Sequence, residues 1–315
     1  MNAIPELNLA DYLSPDPAVS SRFVQALGQA YEEVGFVAIT GHGISEQLIG
    51  DLYKYVQQFF SLPAPLKCLY EIPGLAGQRG YTSFGKEHAK GFAAPDLKEF
   101  FQFGQVVEDA DPVAAEYPAN VVVSEVPAFT PTLLQAYRAF EQTGRILLKA
   151  IATYLGLEPG YFEPRVHNGN SILRAIHYPP IISEPSSSIR AEQHEDINLI
   201  TLLVGASAGG LLILNRQGQW VDALCSPSQI VVNVGDMLQR LTNNRLRSTT
   251  HRVVNPPRNL WHTSRFSIPF FLHPRSEVSL ACLEGCVDGA HPKAYEDFTA
   301  GEYLDERLRE IGLKK

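Results

Sequence analysis

From Ser171 onward the chain breaks into short apolar or alternating runs separated by Pro, Gly and Asn: SILRAIHY, INLITLLV, GLLIL, QWVDA, QIVVNV, STTHRVV and RFSIPFFL. So many strand-like runs within about 100 residues predict an antiparallel sandwich or barrel of the jelly-roll and cupin type. The physical reason is that a short strand buries one face and needs a second sheet to cover it. The first half reads differently. In 20–33 the residues Phe23, Val24, Leu27, Ala30 and Tyr31 recur at three- and four-residue steps, which predicts a helix with a buried stripe. GFVAITGHG then predicts a strand over Phe36–Thr40, and 45–62 returns to helical spacing until Pro63 and Pro65 stop it. Residues 71–97, rich in Gly and polar side chains, read as a functional loop or lid. A long amphipathic helix is expected over 129–155, and another over 292–313, packed on the outside. The fold class expected is therefore mainly β with flanking α-helices. Residues 1–315 are read as one integrated unit, with 1–165 mainly helical, 166–280 forming the β core and its site, and 281–315 a C-terminal helical extension.

Composition removes several function classes. With 45% hydrophobic and 19% charged residues, the chain is neither disordered nor fibrous. Its formal charge of −8 repels polyanions, so nucleic acid is not an expected partner. Cys68, Cys225, Cys282 and Cys286 are too few and too scattered for a disulfide framework. Cys282 and Cys286 could share a helical face, but without a second Cys/His pair nearby inert thiols are the better reading than zinc. The N-terminus lacks a basic and then apolar leader, and the long uncharged run 199–214 is interrupted by glycines. A cytoplasmic protein is expected, with no membrane or protein partner evident. No G-x-G-x-x-G or Walker pattern points to a nucleotide.

The chemistry-bearing residues begin at His194-Glu195-Asp196. On or at the end of a strand, His194 and Asp196 project from one face and can hold one metal ion, with Glu195 turned away. His251, in STTHRVVNPP, can bring a second imidazole to the same barrel mouth. Two His and one carboxylate make a facial triad suited to non-haem Fe(II) with open positions, zinc being the competing metal. In RFSIPFF, Arg265 and Ser267 share a face, and an Arg pointing into an apolar barrel needs an anion, best a bidentate carboxylate. Arg174 shares strand parity with Tyr178 and can face inward, either to a substrate or in a structural ion pair. Arg240, Arg245, Arg247, Arg252, Arg258 and Arg265 occur in 240–265 without an acid, reading either as a solvated surface or as a field that draws anions to the barrel. A literal G-x-S-x-G at 205–209 raises a serine hydrolase using Ser207. The nucleophile elbow needs strand, turn and helix, whereas the sequence after Ser207 reads as strand, turn and strand, so a hairpin is expected.

HEDINLITLL, then GDMLQRLTNNRLRSTTHRVV, then RFS resembles the isopenicillin N synthase-like branch of the Fe(II)/2-oxoglutarate-dependent oxygenases. The resemblance extends to IPELNLADYL, YEEVGFVAITGHGI, the RGY of GQRGYTSFG, and KEFFQFG, in the family's order. It implies a double-stranded β-helix core, iron bound by His194, Asp196 and His251, and 2-oxoglutarate and O2 as co-substrates. Arg265 and Ser267 would hold the distal carboxylate of 2-oxoglutarate, and Tyr178 would contact co-substrate or substrate. The implied reaction oxidises a small organic molecule, hydroxylation being expected, with release of succinate and CO2. The alternative within the same branch is an isopenicillin N synthase-like oxidase or cyclase that does not use 2-oxoglutarate. Two departures stand out: the family's Asn-Tyr-Tyr-Pro becomes Ile176-His177-Tyr178-Pro179, removing a polar co-substrate contact, and the interval from His251 to Arg265 is lengthened by NPPRNLWHT. Substrate choice is assigned to that loop and to 71–97, with Arg79 and Tyr81 as substrate-binding candidates.

Overall fold

A computed structural model describes residues 4–310 except 76, 89–90, 92–93, 108–110, 186–187, 224–225 and 227. Cys225 and the end of the helix expected over 292–313 lie outside the described residues. Twelve strands run β1 (Glu6–Asn8), β2 (Phe36–Thr40), β3 (Gly80–Thr82), β4 (Glu99–Gly104), β5 (Ile172–Tyr178) and β6 (Ala191–His194). They continue with β7 (Ile200–Val204), β8 (Leu211–Leu214), β9 (Trp220–Asp222), β10 (Ile230–Val234), β11 (His251–Val253) and β12 (Arg265–Leu272). Eight form one sheet in the order β1-β2-β10-β7-β12-β5-β4-β3, and four form a second in the order β6-β11-β8-β9. The two sheets enclose a cavity of about 630 Å³. This is the double-stranded β-helix arrangement with flanking helices.

Strand alternation decides what faces the cavity. Ile172, Arg174, Ile176 and Tyr178 of β5 and Arg265, Ser267, Pro269 and Phe271 of β12 line it. The intervening Leu173, Ala175, Ile268, Phe270 and Leu272 enter the core on the other face. There the helix Phe129–Tyr154 covers the sheet, with Phe270 edge-on to Tyr137 at 5.0 Å and stacked on Phe140 at 5.9 Å. Two further helices, Pro17–Glu33 and Glu46–Phe60, start where Asp16 and Ser45 accept the backbone N–H groups of Ala18 and Leu48.

Several expectations need correction. The mainly helical region 1–165 also contributes strands beyond the expected one at Phe36–Thr40: β1, β3 and β4 join β2 in extending the larger sheet at both edges. Their pairing partners are distant in sequence, so local periodicity carries little signal for β1 and β3, which are three residues each. Pro63 and Pro65 end one helix but open another, Ala64–Cys68, in whose first turn the missing proline N–H is not needed. The C-terminal helix begins later than expected, at Ala300, and Cys282 and Cys286 lie before and at the end of a short 3-10 turn, Glu284–Cys286, rather than on a helix face. Cys68, Cys282 and Cys286 are free thiols. The turn bearing Ser207 is not a hairpin within one sheet, because β7 belongs to the larger sheet and β8 to the smaller. A strand rather than a helix comes after it, and Ser207 Oγ accepts the Phe266 N–H at 2.8 Å, so no nucleophile elbow forms. Among the described residues no helix is long and apolar enough to cross a membrane.

Candidate metal centre

The smaller sheet sets the two imidazoles side by side. β6 and β11 are antiparallel, with His194 directly opposite His251 and a register shift immediately after His251. The two rings lie 4.4 Å apart, and His251 packs edge-on to Phe36. His194 Nδ1 donates to the Glu192 carbonyl at 2.6 Å and His251 Nδ1 donates to the Thr249 carbonyl at 3.1 Å. With Nδ1 so committed, each ring presents the lone pair of Nε2.

Asp196 arrives by a turn rather than by strand alternation, since β6 ends at His194. The turn is docked on the end of β10: the Gly235, Asp236 and Met237 N–H groups donate to the carbonyls of Leu199, Asp196 and Asn198. Gly235 permits this approach, because a Cβ there would fall 2.4 Å from the Asn198 carbonyl oxygen. Asp196 Oδ1 then lies 3.9 Å from His194 Nε2 and 3.7 Å from His251 Nε2. One ligand atom from each of the three residues falls within 4.8 Å of the others. Asp196 Oδ2 accepts from Thr201 Oγ1 at 2.6 Å and from Asn233 Nδ2 at 2.8 Å.

The electrostatics favour a cation here. Burial would raise the Asp196 carboxyl, but His251, His194 and the hydrogen bonds from Asn233 and Thr201 outweigh it and hold the group below its ordinary value. His194 is lowered to about 4, chiefly by removal from bulk water and then by the neighbouring His251. The 36% of its side chain that remains accessible belongs to a cavity-lining surface. A neutral imidazole and an ionised carboxylate are the forms that ligate a metal, and two His with one carboxylate suit Fe(II) while leaving coordination positions open.

Across the cavity stands Arg265, opposite Tyr178 in the β12–β5 register. Its Nε donates to the Ala208 and Gly209 carbonyls at 3.1 and 3.2 Å, whereas the buried Nη1 has no partner among the described residues. An orphaned guanidinium N–H is costly unless an anion meets it, and a carboxylate fits that requirement. Ser267, two residues on, is buried and faces the same space, as does Tyr178, whose ring lies 5.0 Å from the Arg265 guanidinium carbon. Ile176 also lines the cavity while His177 turns away to Glu99 and Ser264, so the wall is apolar where the IHYP sequence predicts a lost polar contact.

A third group of polar residues occupies another wall. Arg174 Nη1 pairs with Glu87 at 3.2 Å, its Nε donates to Gln102 at 2.9 Å, and its guanidinium carbon lies 4.3 Å from the Phe100 ring centroid. Lys98 bridges Glu87 and Asp96 at 2.6 and 2.8 Å. Burial would raise Glu87, but Arg174 and Lys98 reverse this and hold it down to about 2.

The two loop candidates stand elsewhere. Arg79 is buried away from the cavity, donating to Gln105 at 2.8 Å and to the Gln78 carbonyl at 2.7 Å, and the Tyr81 hydroxyl donates to Glu99. Both pack structurally, so neither is placed to bind substrate. Their segment nevertheless supplies Gln78, Glu87, His88, Gly91 and Asp96 to the cavity. None of the residues of NPPRNLWHT lines it, which corrects the substrate-selecting role expected of that loop. Of the six arginines in 240–265 only Arg265 reaches the cavity. Arg245 pairs with Glu32 and Arg258 with Glu184, Arg252 covers Trp220 and Arg240 covers Tyr295, so the cluster is mostly structural or surface. Sequence reasoning missed Thr201, Asn233, Glu87 and Lys98. For Thr201 and Asn233 a signal exists, a lone polar residue at inward parity in the apolar runs ITLLV and IVVNV.

Residues 4–125 match the family described as non-haem dioxygenase in morphine synthesis, N-terminal, and residues 169–274 match the 2OG-Fe(II) oxygenase superfamily. The proline hydroxylase buaE of Petromyces alliaceus is 34% identical over 97% of this chain and 98% of its own. A putative 2OG-Fe(II) oxygenase family protein from Caulobacter crescentus is similar in structure, with a TM-score of 0.88 and 41% identity over 99% of this chain and all of that one. A full-length Neurospora crassa protein, solved in complex with alpha-KG and thymine, gives a TM-score of 0.85 and 29% identity over 97% of this chain and 96% of that one.

Proposed function

The chain belongs to the 2OG-Fe(II) oxygenase superfamily and is an Fe(II)- and 2-oxoglutarate-dependent dioxygenase, and from that premise we propose that His194, Asp196 and His251 hold the iron while Arg265, Ser267 and Tyr178 receive the distal carboxylate of 2-oxoglutarate. The observation that carries this reading is one cavity with a His-Asp-His cluster and an orphaned Arg265 N–H on its walls. Bound iron, O2 and 2-oxoglutarate supply the oxidising power, with succinate and CO2 released. The chain supplies the rest. The carbonyls of Glu192 and Thr249 fix the two imidazoles, Thr201 and Asn233 fix the carboxylate, and Arg265 orients the co-substrate. Ile172, Ile176, Leu203, Val231 and Phe271 make the cavity apolar and exclude water around the reacting carbon.

The reaction proposed is hydroxylation of a small organic molecule, supported by the named activity of the Petromyces relative. Arg174, with Glu87, Lys98 and Gln102 around it, is the proposed substrate-facing polar wall. A cytoplasmic address fits the free thiols at Cys68, Cys282 and Cys286. The test is anaerobic titration of the Fe(II) protein with 2-oxoglutarate, watching for the visible charge-transfer band of a chelated 2-oxo acid. The band should appear in the natural chain and vanish in His194→Ala, Asp196→Ala and His251→Ala. Its persistence in all three would overturn the ligand assignment, and its absence in the natural chain would favour the oxidase or cyclase that dispenses with 2-oxoglutarate.

A further inference from the structure

Two buried arginines approach the ring of Tyr178. Arg265 is 1% exposed, and its Nη1 has no partner among the described residues. Arg190, immediately ahead of β6, is 2% exposed: its Nη2 donates to the Thr263 carbonyl at 3.1 Å, and its buried Nε has no partner among the described residues. Their guanidinium carbons lie 5.0 and 5.9 Å from the Tyr178 ring centroid. Among the described residues neither arginine has a carboxylate partner, whereas Lys67, Lys98 and Arg174 are matched by Glu99, Glu87 and Asp96. Arg79 is a further buried arginine without an acid, but it stands outside the cavity and faces Tyr117 and Tyr137 rather than a second cation. Like charges around one aromatic ring repel strongly in a low-dielectric interior. Burial, and then the Arg265 charge, lower Arg190 to about 10.

We propose that Arg190 is a second positive determinant of the co-substrate site, acting across the Tyr178 ring on the carboxylate that Arg265 contacts and selecting a dianionic 2-oxo acid. The inference rests on the role given to Arg265 above. Arg190 does not line the cavity, so it is a positioning residue: its charge deepens the well for the distal carboxylate, and that carboxylate relieves the repulsion between the two guanidiniums. A 2-oxo acid without a distal carboxylate gains nothing from it.

The experiment is calorimetric binding of 2-oxoglutarate and of 2-oxobutyrate to the anaerobic Fe(II) protein and its variants. Arg190→Gln should weaken 2-oxoglutarate binding about tenfold or more, leave 2-oxobutyrate binding unchanged, and retain full iron content. Arg190→Lys should restore most of the preference for the dianion, and in turnover the KM for 2-oxoglutarate should rise by more than kcat falls in the Gln variant. Equal weakening of both acids, or Arg190→Lys behaving like Arg190→Gln, would assign Arg190 to holding the Thr263 carbonyl and overturn the proposal. Unchanged 2-oxoglutarate affinity in Arg190→Gln would also overturn it. If Arg190→Gln does not fold, the selectivity of Arg190→Lys decides. A natural chain that binds no 2-oxoglutarate, with an Arg265 variant indistinguishable from it, would overturn the role of Arg265 and this inference together, whereas failure confined to the Arg190 variants leaves the role of Arg265 standing.

Discussion

Asp196 divides its two oxygens between two tasks. Oδ1 faces both imidazoles, and Oδ2 is held by Thr201 and Asn233, which approach from neighbouring strands of the larger sheet. Removing these donors leaves a buried carboxylate oxygen unmatched and the carboxylate free to turn. Thr201→Val and Asn233→Leu should therefore each weaken Fe(II) binding about 10- to 100-fold, measured by metal titration under anaerobic conditions, although neither residue touches the ion. Affinities equal to that of the natural chain would show that the turn alone orients Asp196. The co-substrate end gives a graded counterpart. Arg265→Leu removes the charge that faces the carboxylate and should cost about 3–5 kcal/mol of 2-oxoglutarate binding. Ser267→Ala deletes one hydrogen bond to a charged group and should cost about 1.5–3 kcal/mol. If Ser267→Ala proved the more damaging in a binding titration, the carboxylate would sit away from Arg265.

At the scale of elements, the ligand geometry is made where two pieces of chain dock. β11 sets His251 against His194, and the β10 terminus holds the turn containing Asp196. Gly235 is the tightest point of that docking, beside the N–H groups of Asp236 and Met237 that bond the turn. Its φ of −102° suits any residue, so Gly235→Ala is a purely steric change against the Asn198 backbone. Such overpacking should cost about 1–3 kcal/mol of stability and displace Asp196, lowering metal affinity with it. Denaturant unfolding with parallel metal titration checks this, and an unperturbed variant would mean that the turn yields easily. The same logic decides which elements are legible in sequence. The apolar runs that form β5, β7, β10 and β12 announce themselves because nearly every residue is buried, on the core face or on the cavity face. Parity within RFSIPFF and SILRAIHY correctly turns Arg265, Ser267, Arg174 and Tyr178 inward. Asp196 reaches the same face as His194 by a turn, which no alternation rule describes. Sequence misplaces Arg79 and Tyr81 because irregular spacing hides that Tyr81 packs against Phe59 and that Arg79 turns to Gln105. Glu87 becomes the shared partner of Arg174 and Lys98 only after β4 pairs with β5.

The whole molecule stores ionisable groups inside a barrel, and acid should find them. His273 is buried, lines the cavity, and donates from Nδ1 to the Phe271 carbonyl at 3.1 Å; burial lowers it to about 4. Between about 4 and its ordinary 6.5 the unfolded chain binds a proton at this position and the folded chain does not, so stability rises with pH across that window and is lost as pH falls through it. The gap is worth about 3 kcal/mol for this one histidine, and His194 acts with the same sign. Glu87 extends the trend to lower pH: held down to about 2 by Arg174 and Lys98 against its burial, it contributes stability above about 4.5 that disappears as pH falls through about 2. Metal-free protein should therefore lose stability steadily from about pH 6.5 downward, and bound metal should raise stability across that range and extend the loss to lower pH, because the ligating form of His194 is the neutral one. Urea unfolding of metal-free protein at a series of pH values tests the assignment. His273→Gln should flatten the slope between about pH 6.5 and 4 while leaving the limb below about 4, where Glu87 titrates. An identical profile in the variant would show that other groups carry the acid sensitivity.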